Sequence, residues 1–236
     1  MAEYLGNNAL MDAYNEYQLK YAVQLRESDR VILDLIAAGS QGRSCSILDI
    51  GCSTGNLLRH MRRAFPEHSL VGGDLTESSL AEARKAVPGC QFKTMDMLAI
   101  EGHYDIIVAN AVAFSFDYPT YEKAIRSVAT ALNPGGLYIA FEMLHPYQDL
   151  KTIETTELAP DGLVIHSRND ARVERILRAN GLSQAKFHPF SIPIDLPEPA
   201  DKSDLTSHTK RLENGDRLCF RGALYQPWCH MTAVKA

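Results

Sequence analysis

The stretch from Cys45 to Phe65 constrains the fold more than any other part of the chain. Ser46-Ile47-Leu48-Asp49-Ile50 is a short β-rich run, and Gly51-Cys52-Ser53-Thr54-Gly55 follows it as a turn of small residues. From Asn56 to Phe65 the apolar residues fall at helical spacing. Leu57, Leu58, Met61 and Phe65 share one face, and Pro66 is the stop. A buried strand that passes through glycines into a helix is the opening unit of a parallel α/β sheet. Gly51 and Gly55 let the backbone turn sharply and approach a ligand that a Cβ would obstruct.

The alternation continues downstream. Leu70-Val71-Gly72-Gly73 reads as a second strand, and Thr76 is placed to cap a helix over 77–87 packed through Leu80, Ala83 and Val87. Phe92 to Met95 is a third strand. Tyr104 to Ala109 is a fourth, an almost unbroken apolar run suited to a sheet covered on both faces. A helix is predicted over 119–132, the segment Asn133-Pro134-Gly135-Gly136 interrupts the chain, and Leu137 to Phe141 makes a fifth strand. Residues 145–169 offer no convincing long element. Asp170 is placed to cap a helix to Asn180 ended by Gly181, and Ala185 to Ile192 reads as a strand. Ser207 to Leu212 and Arg217 to Leu224 flank Asn214-Gly215, a strong hairpin signal, and Gln226 to Val234 is a final strand.

Upstream, Ser28 is the expected cap of a helix with Val31, Ile32, Leu35 and Ile36 on its apolar face, ended by Gly39. Tyr14, Tyr17 and Tyr21 recur at helical spacing before it. The expected architecture is α/β. It is a doubly wound, mostly parallel sheet of Rossmann-like type with an antiparallel C-terminal edge and an N-terminal helical cap. The expected division is one domain over 1–236, with a cap at 1–40, a ligand-binding core at 45–142, and lid or acceptor-side insertions at 143–169 and 193–224.

Composition narrows the classes. With 24 basic and 29 acidic residues the formal charge is −5, which argues against a surface built to neutralise a nucleic-acid backbone. No run approaches the ~20 apolar residues of a membrane helix. The N-terminus lacks the basic-then-apolar pattern of a secretion signal, so the expected location is the cytoplasm. Cys45, Cys52, Cys90, Cys219 and Cys229 are odd in number with no CxxC spacing, which argues against a disulfide framework or a zinc site; no metal is expected.

The glycine loop is selective about ligands. A dinucleotide fold wants Gly-x-Gly-x-x-Gly, but the middle position is Ser53 and Asn56 stands where the third glycine belongs. A phosphate-binding P-loop fails too, because no Gly-Lys-Ser/Thr follows. Asp74, at the end of the second strand, can accept hydrogen bonds from both hydroxyls of a ribose; an aspartate there can also cap the next helix. Asp96 ends the third strand, where it can meet the amino group of an adenine with Met97 against the ring. A nucleoside without a pyrophosphate fits both acids.

The ordered series Ile47–Leu58, Gly73-Asp74-Leu75, Met95-Asp96-Met97, Tyr104–Asn110 and Leu132-Asn133-Pro134-Gly135-Gly136 resembles the class I S-adenosylmethionine-dependent methyltransferases. The likeness is strongest to their small-molecule type 11/12 branch and covers residues 45–142. It implies S-adenosylmethionine as cofactor. Gly51, Cys52, Ser53 and Gly55 would then lie against its methionine and ribose, and Asp74 would hold the ribose hydroxyls. Leu75 and Met97 would sandwich the adenine, with Asp96 at its amino group. Asn110 and Ala111 would meet the methionine moiety. If the N-terminal helix closes the site as in many relatives, Tyr17 and Arg26 lie over the cofactor, Arg26 as partner of its carboxylate. Ser53 departs from the family, which often has glycine there.

Acceptor-contacting residues should follow the fourth and fifth strands, since ligands of open α/β sheets bind beyond the strands' carboxyl ends. These are Asn110, Phe114, Phe116 and Tyr118, then Glu142, Met143, His145 and Tyr147. His145 is the first candidate general base and Glu142 the second, with structural roles open to both. His166 and His230 are weaker candidates, and Trp228 is read as core. The implied activity is methyl transfer to an oxygen or nitrogen of a small-molecule acceptor. The alternatives are a tRNA or protein methyltransferase, or a cofactor-binding relative with non-methylating sulfonium chemistry.

Overall fold

The computed structural model describes residues 16, 18, 23–156, 159–200 and 206–236. Its elements run α1 (Glu27–Ser40), β1 (Ser46–Ile50), α2 (Asn56–Ala64), β2 (Ser69–Asp74), α3 (Glu77–Ala86), β3 (Gln91–Thr94) and β4 (Tyr104–Asn110), then a 3₁₀ turn (Ala113–Ser115). Next come α4 (Tyr118–Ala131), β5 (Leu132–His145), β6 (Leu150–Thr156), β7 (Ala159–Asn169), α5 (Asp170–Ala179) and β8 (Leu182–Pro189). The last are β9 (Ser207–Arg211), β10 (Arg217–Arg221), β11 (Leu224–Tyr225) and β12 (Trp228–Lys235). The main sheet has the order β3-β2-β1-β4-β5-β12-β8. The pairs among β1 to β5 are parallel, and β12 lies antiparallel between β5 and β8. This is the expected Rossmann-like sheet with an antiparallel C-terminal edge. The order turns back at β1 and β4, and that reversal opens the crevice used by ligands.

Alternation along the central strands distributes the core over two faces. Ile106, Val108, Ile139 and Phe141 face the layer that contains Ile32 and Ile36 of α1 and Leu57, Leu58 and Met61 of α2. Ile107, Ala109, Tyr138 and Ala140 face Tyr121, Ile125 and Val128 of α4 and Val173 and Leu177 of α5. Each such side chain, fully buried, stabilises the fold by about 1.5–3 kcal/mol. Burial on both faces is why these strands read as unbroken apolar runs.

Several local readings are corrected. α1 starts at Glu27, not after Ser28, and continues past Gly39 to Ser40, with Gln41 in the left-handed conformation (φ 51°) ending it. Gly39 serves close packing instead, since a Cβ there would stand 2.4 Å from Cδ2 of Leu137 on β5. Thr76 holds the cap position of α3 without a side-chain bond. Asn169, not Asp170, caps α5 by accepting from the Arg172 N–H. Segment 145–169, expected to be irregular, carries the antiparallel pair β6–β7, and the end of β7 runs parallel to the end of β5. The Asn214-Gly215 hairpin forms as predicted but joins β11 in a separate three-stranded sheet rather than the edge of the main one. Among the described residues no helix is long and apolar enough to cross a membrane.

β12 is tied to the start of α1 by His230, 1% exposed, whose Nε2 lies 2.9 Å from the carbonyl oxygen of Ser28. A ring in that position donates its Nε2–H. Burial pushes its pKa down to about 4, against the pull of the Ser28 carbonyl. The unfolded chain takes up this proton near pH 6.5 and the folded chain does not, so stability falls as the pH drops from 6.5 towards 4. The expected loss from this one residue is about 3 kcal/mol over that window. Urea unfolding at neutral pH and near pH 4 should show His230→Gln losing less stability than the native chain; equal losses would contradict the assignment.

Candidate functional site

The turn after β1 carries three residues in the left-handed region: Gly51 (φ 74°), Ser53 (φ 48°) and Gly55 (φ 77°). A Cβ on Gly51 would come within 2.5 Å of Val112 Cγ2, so the backbone here passes tightly beneath the segment that follows β4. The Gly51 and Cys52 N–H groups donate to the Gly73 carbonyl at 2.7 and 3.0 Å, which anchors the turn to β2. Asp74 completes the anchor. Its Oδ2 accepts from the Ser53 N–H at 2.8 Å and its Oδ1 from the Thr76 N–H at 2.9 Å. The carboxylate thus joins the turns after two neighbouring strands and performs the capping that Thr76 does not.

Two buried acids that the spacing of motifs did not mark interact here. Asp49, 2% exposed, precedes Ile50, the last residue of β1, and feels the charges of Asp29 and Asp74. Its carboxyl is held well above the usual range by burial first, then by the charges of Asp29 and Asp74. Asp29 of α1, 4% exposed, is raised by burial, with Arg26 and the Asn110 hydrogen bond pulling the other way. The Asn110 side-chain amide donates to Asp29 at 2.9 Å, which fixes α1 to the exit of β4. Burial beside Asp49 and Asp74 also pushes the Cys52 thiol far up, so it is a neutral apolar surface here. A charge inside the run Ile47–Ile50 was the available signal for Asp49. Nothing local marked Asp29, whose partner lies 81 residues away.

The remaining predicted contacts are placed as follows. Arg26 donates to Gln18 Oε1 at 2.8 Å, and Asn56 at the start of α2 donates to the Gln18 backbone oxygen at 2.8 Å. Arg26 is therefore brought to the first turn of α2, and its charge acts on Asp29. Tyr17, Tyr14 and Tyr21 lie outside the described residues. Ala111 takes φ 56° and donates its N–H to the Phe141 carbonyl at 2.9 Å, a strained conformation held by the sheet. Leu75 is 38% exposed at the exit of β2, whereas Met97, 3% exposed, belongs to the core. Asp96 Oδ1 accepts from the Leu98 N–H at 2.9 Å.

Both candidate bases, Glu142 and His145, have protein partners. Glu142 is fully buried and paired with Arg168 Nη1 at 3.2 Å. His145 accepts at Nδ1 from the Tyr147 and Gln148 N–H groups at 3.1 and 3.3 Å, which puts its proton on Nε2 and makes the ring a turn cap. Tyr147 is 85% exposed, and Trp228 stacks on Phe141 at 4.7 Å. Burial lowers the pKa of His166. Among the described residues no group of three or more His, Cys, Asp or Glu could hold a metal.

Residues 47–136 match the family described as methyltransferase domain. Residues 47–136 are thus similar to a methyltransferase domain. The description does not single out the type 11/12 branch. Over 112 residues the chain is 31% identical to trans-aconitate 2-methyltransferase of Methylobacterium nodulans, covering 47% of this chain and 43% of that protein. Over 139 residues it is 33% identical to malonyl-[acyl-carrier protein] O-methyltransferase of Halalkalibacterium halodurans, covering 55% and 49%. The chain thus spans about half the length of these curated relatives. A solved structure of Burkholderia thailandensis 1,6-didemethyltoxoflavin-N1-methyltransferase aligns over 100% of this chain and 91% of that one, with TM-score 0.62 and 14% identity. That likeness supports the fold of the described residues, including the antiparallel edge beyond residues 47–136.

If His145 caps the turn, His145→Ala should lower stability by about 1 kcal/mol and leave the rate of methyl transfer within a few-fold. A loss on the order of 10²-fold in turnover with unchanged stability would instead make it the base.

Proposed function

We propose that the chain transfers a methyl group from S-adenosylmethionine to an oxygen or nitrogen of a small-molecule acceptor. The observation that carries this reading is the open glycine turn held by Asp74 at the exit of the next strand. A carboxylate at that exit suits the hydroxyls of a ribose. Ser53 and Asn56 stand where a dinucleotide site has glycine, so the turn favours an adenosyl group without a pyrophosphate. The cofactor supplies an electrophilic methyl group on its sulfonium sulfur.

The chain's own residues bind and orient. Gly51, Cys52, Ser53 and Gly55 offer backbone surface to the ribose and methionine portions, and Asp74 retains acceptor capacity for ribose hydroxyls beside its two backbone bonds. Asp96 and Leu75 face the adenine end, and Arg26 serves the carboxylate. Asn110 and Ala111 set the edge of the crevice nearest the acceptor. With Glu142 and His145 engaged elsewhere, positioning supplies the acceleration assigned to the protein, which for well-aligned reactants is worth about 7–11 kcal/mol.

The insertions 143–169 and 193–224 are assigned to the acceptor side. The Arg221–Glu154 ion pair at 2.9 Å supports this by linking the two. The similar proteins are named for trans-aconitate, malonyl-acyl-carrier-protein and didemethyltoxoflavin acceptors, which favours a small acceptor methylated on oxygen or nitrogen. The formal charge of −5 disfavours tRNA as substrate. The five free cysteines fit a reducing, cytoplasmic setting.

The test is release of S-adenosylhomocysteine with a panel of carboxylate, hydroxyl and amine acceptors. Transfer to at least one is expected. Cofactor binding with no transfer to any would favour a non-methylating relative. Asp74→Ala should weaken cofactor binding tenfold or more, about 1.4 kcal/mol. An analogue lacking the 2′-hydroxyl should lose less affinity from this substitution than S-adenosylmethionine does if Asp74 holds that group, because part of the contact is already absent. A variant with unchanged affinity for S-adenosylmethionine would remove Asp74 from the ribose.

A further inference from the structure

Arg168, near the end of β7, is 1% exposed and is the largest fully buried side chain among the described residues. Its Nη1 meets Glu142 of β5 at 3.2 Å. Its Nη2 donates to the Ala113 carbonyl at 2.7 Å and to the Phe116 carbonyl by a short bond. The guanidinium also lies 4.2 Å from the centre of the Tyr121 ring on α4. Both carbonyls belong to the segment after β4, where the Phe116 N–H closes a tight turn on the Ala113 carbonyl at 3.0 Å. One side chain therefore spans the β6–β7 hairpin, β5 and the loop at the mouth of the crevice.

The pair is poorly satisfied for one so deeply buried. Arg168 Nε, Glu142 Oε1 and the hydroxyls of Tyr121 and Tyr138 have no protein partner. An ion pair with unmet groups in a dry interior is at best neutral for stability when compared with apolar side chains of the same volume. What apolar side chains cannot supply is a planar fork with several donors fixed in direction. The two carbonyl bonds to the 113–116 loop are that supply.

We propose that Arg168 is a positioning residue that locks the β6–β7 hairpin to the loop after β4, so that one guanidinium sets both walls of the acceptor mouth. Glu142 orients Arg168 from below, and Tyr121 supports its plane. The assignment of these walls to the acceptor rests on the methyltransferase reading, whereas the lock itself does not.

The experiment compares Arg168→Lys and the double variant Glu142→Leu/Arg168→Met with the native full chain by hydrogen–deuterium exchange, thermal unfolding and calorimetric binding of S-adenosylmethionine. The double variant is expected to melt at or above the native temperature. It should bind S-adenosylmethionine within about twofold of the native chain and exchange the Phe116 amide about tenfold faster. Arg168→Lys keeps a cation for Glu142 but not the fork, so it should loosen the same amide. The idea is overturned if Phe116 exchanges at the native rate in both variants. It is equally overturned if Arg168→Lys restores native exchange, or if faster exchange spreads through the whole sheet with a lowered melting temperature. On an acceptor found by transfer assay, the two variants should raise the acceptor KM more than they lower kcat. A chain that fails to bind S-adenosylmethionine would refute the methyltransferase reading and leave the exchange result to judge the lock.

Discussion

The carboxylate of Asp74 accepts from the Ser53 N–H with one oxygen and from the Thr76 N–H with the other, and this clasp organises the ligand side of the sheet. β1 and β2 are neighbours in register from Ser46–Ser69 to Ile50–Gly73, so the turns that follow them leave the sheet side by side. Without a shared acceptor, each turn would leave a polar N–H unmet, at a cost of about 1–3 kcal/mol apiece. With it, the Gly51–Gly55 turn holds its left-handed residues and α2 starts at a fixed height. Structure and ligand preference thus share one origin, the Asp74 clasp that keeps a small-residue turn open.

A second layer of contacts ties α1, β12 and β7 to the ends of the central strands. Asn110 links the exit of β4 to Asp29, and His230 links β12 to the same stretch of α1. Arg168 performs the corresponding task on the acceptor side, reaching from β7 to the Ala113 and Phe116 carbonyls. On the outer rim, Asp149 accepts from Tyr118, from the Asn169 N–H and from Arg172 at 3.1 Å, closing the turn that follows His145. The glycine-turn side is thus held largely by backbone and acids. The β6–β7 side is held by Arg168 of β7 and Arg172 of α5.

This division explains what could be read from the chain. The parallel core was legible because its central strands are covered on both faces and carry short apolar runs, as in Ile106–Ala109. The Asn214-Gly215 hairpin was legible because its turn has a specific backbone demand. β6 was not, because Leu150-Lys151-Thr152-Ile153-Glu154 is half solvated, with Ile153 58% exposed, and its strand character comes from pairing with β7. Asp74 and Asp96 stood out through their place at strand exits. The roles of Glu142 and His145 did not, since each is decided by a partner that spacing cannot show: Arg168, 26 residues on, and the Tyr147 and Gln148 backbone that folds back on the ring. Ser28 looked like a helix cap by type, yet α1 begins one residue earlier, and the Ser28 carbonyl is taken by His230.

The most direct measurement of the central claim is calorimetric titration of the native chain with S-adenosylmethionine in competition with NAD. The Asp74 clasp and the missing dinucleotide glycines predict saturable one-site binding of S-adenosylmethionine that excess NAD leaves unchanged. Absence of S-adenosylmethionine binding, or its displacement by NAD, would contradict the account.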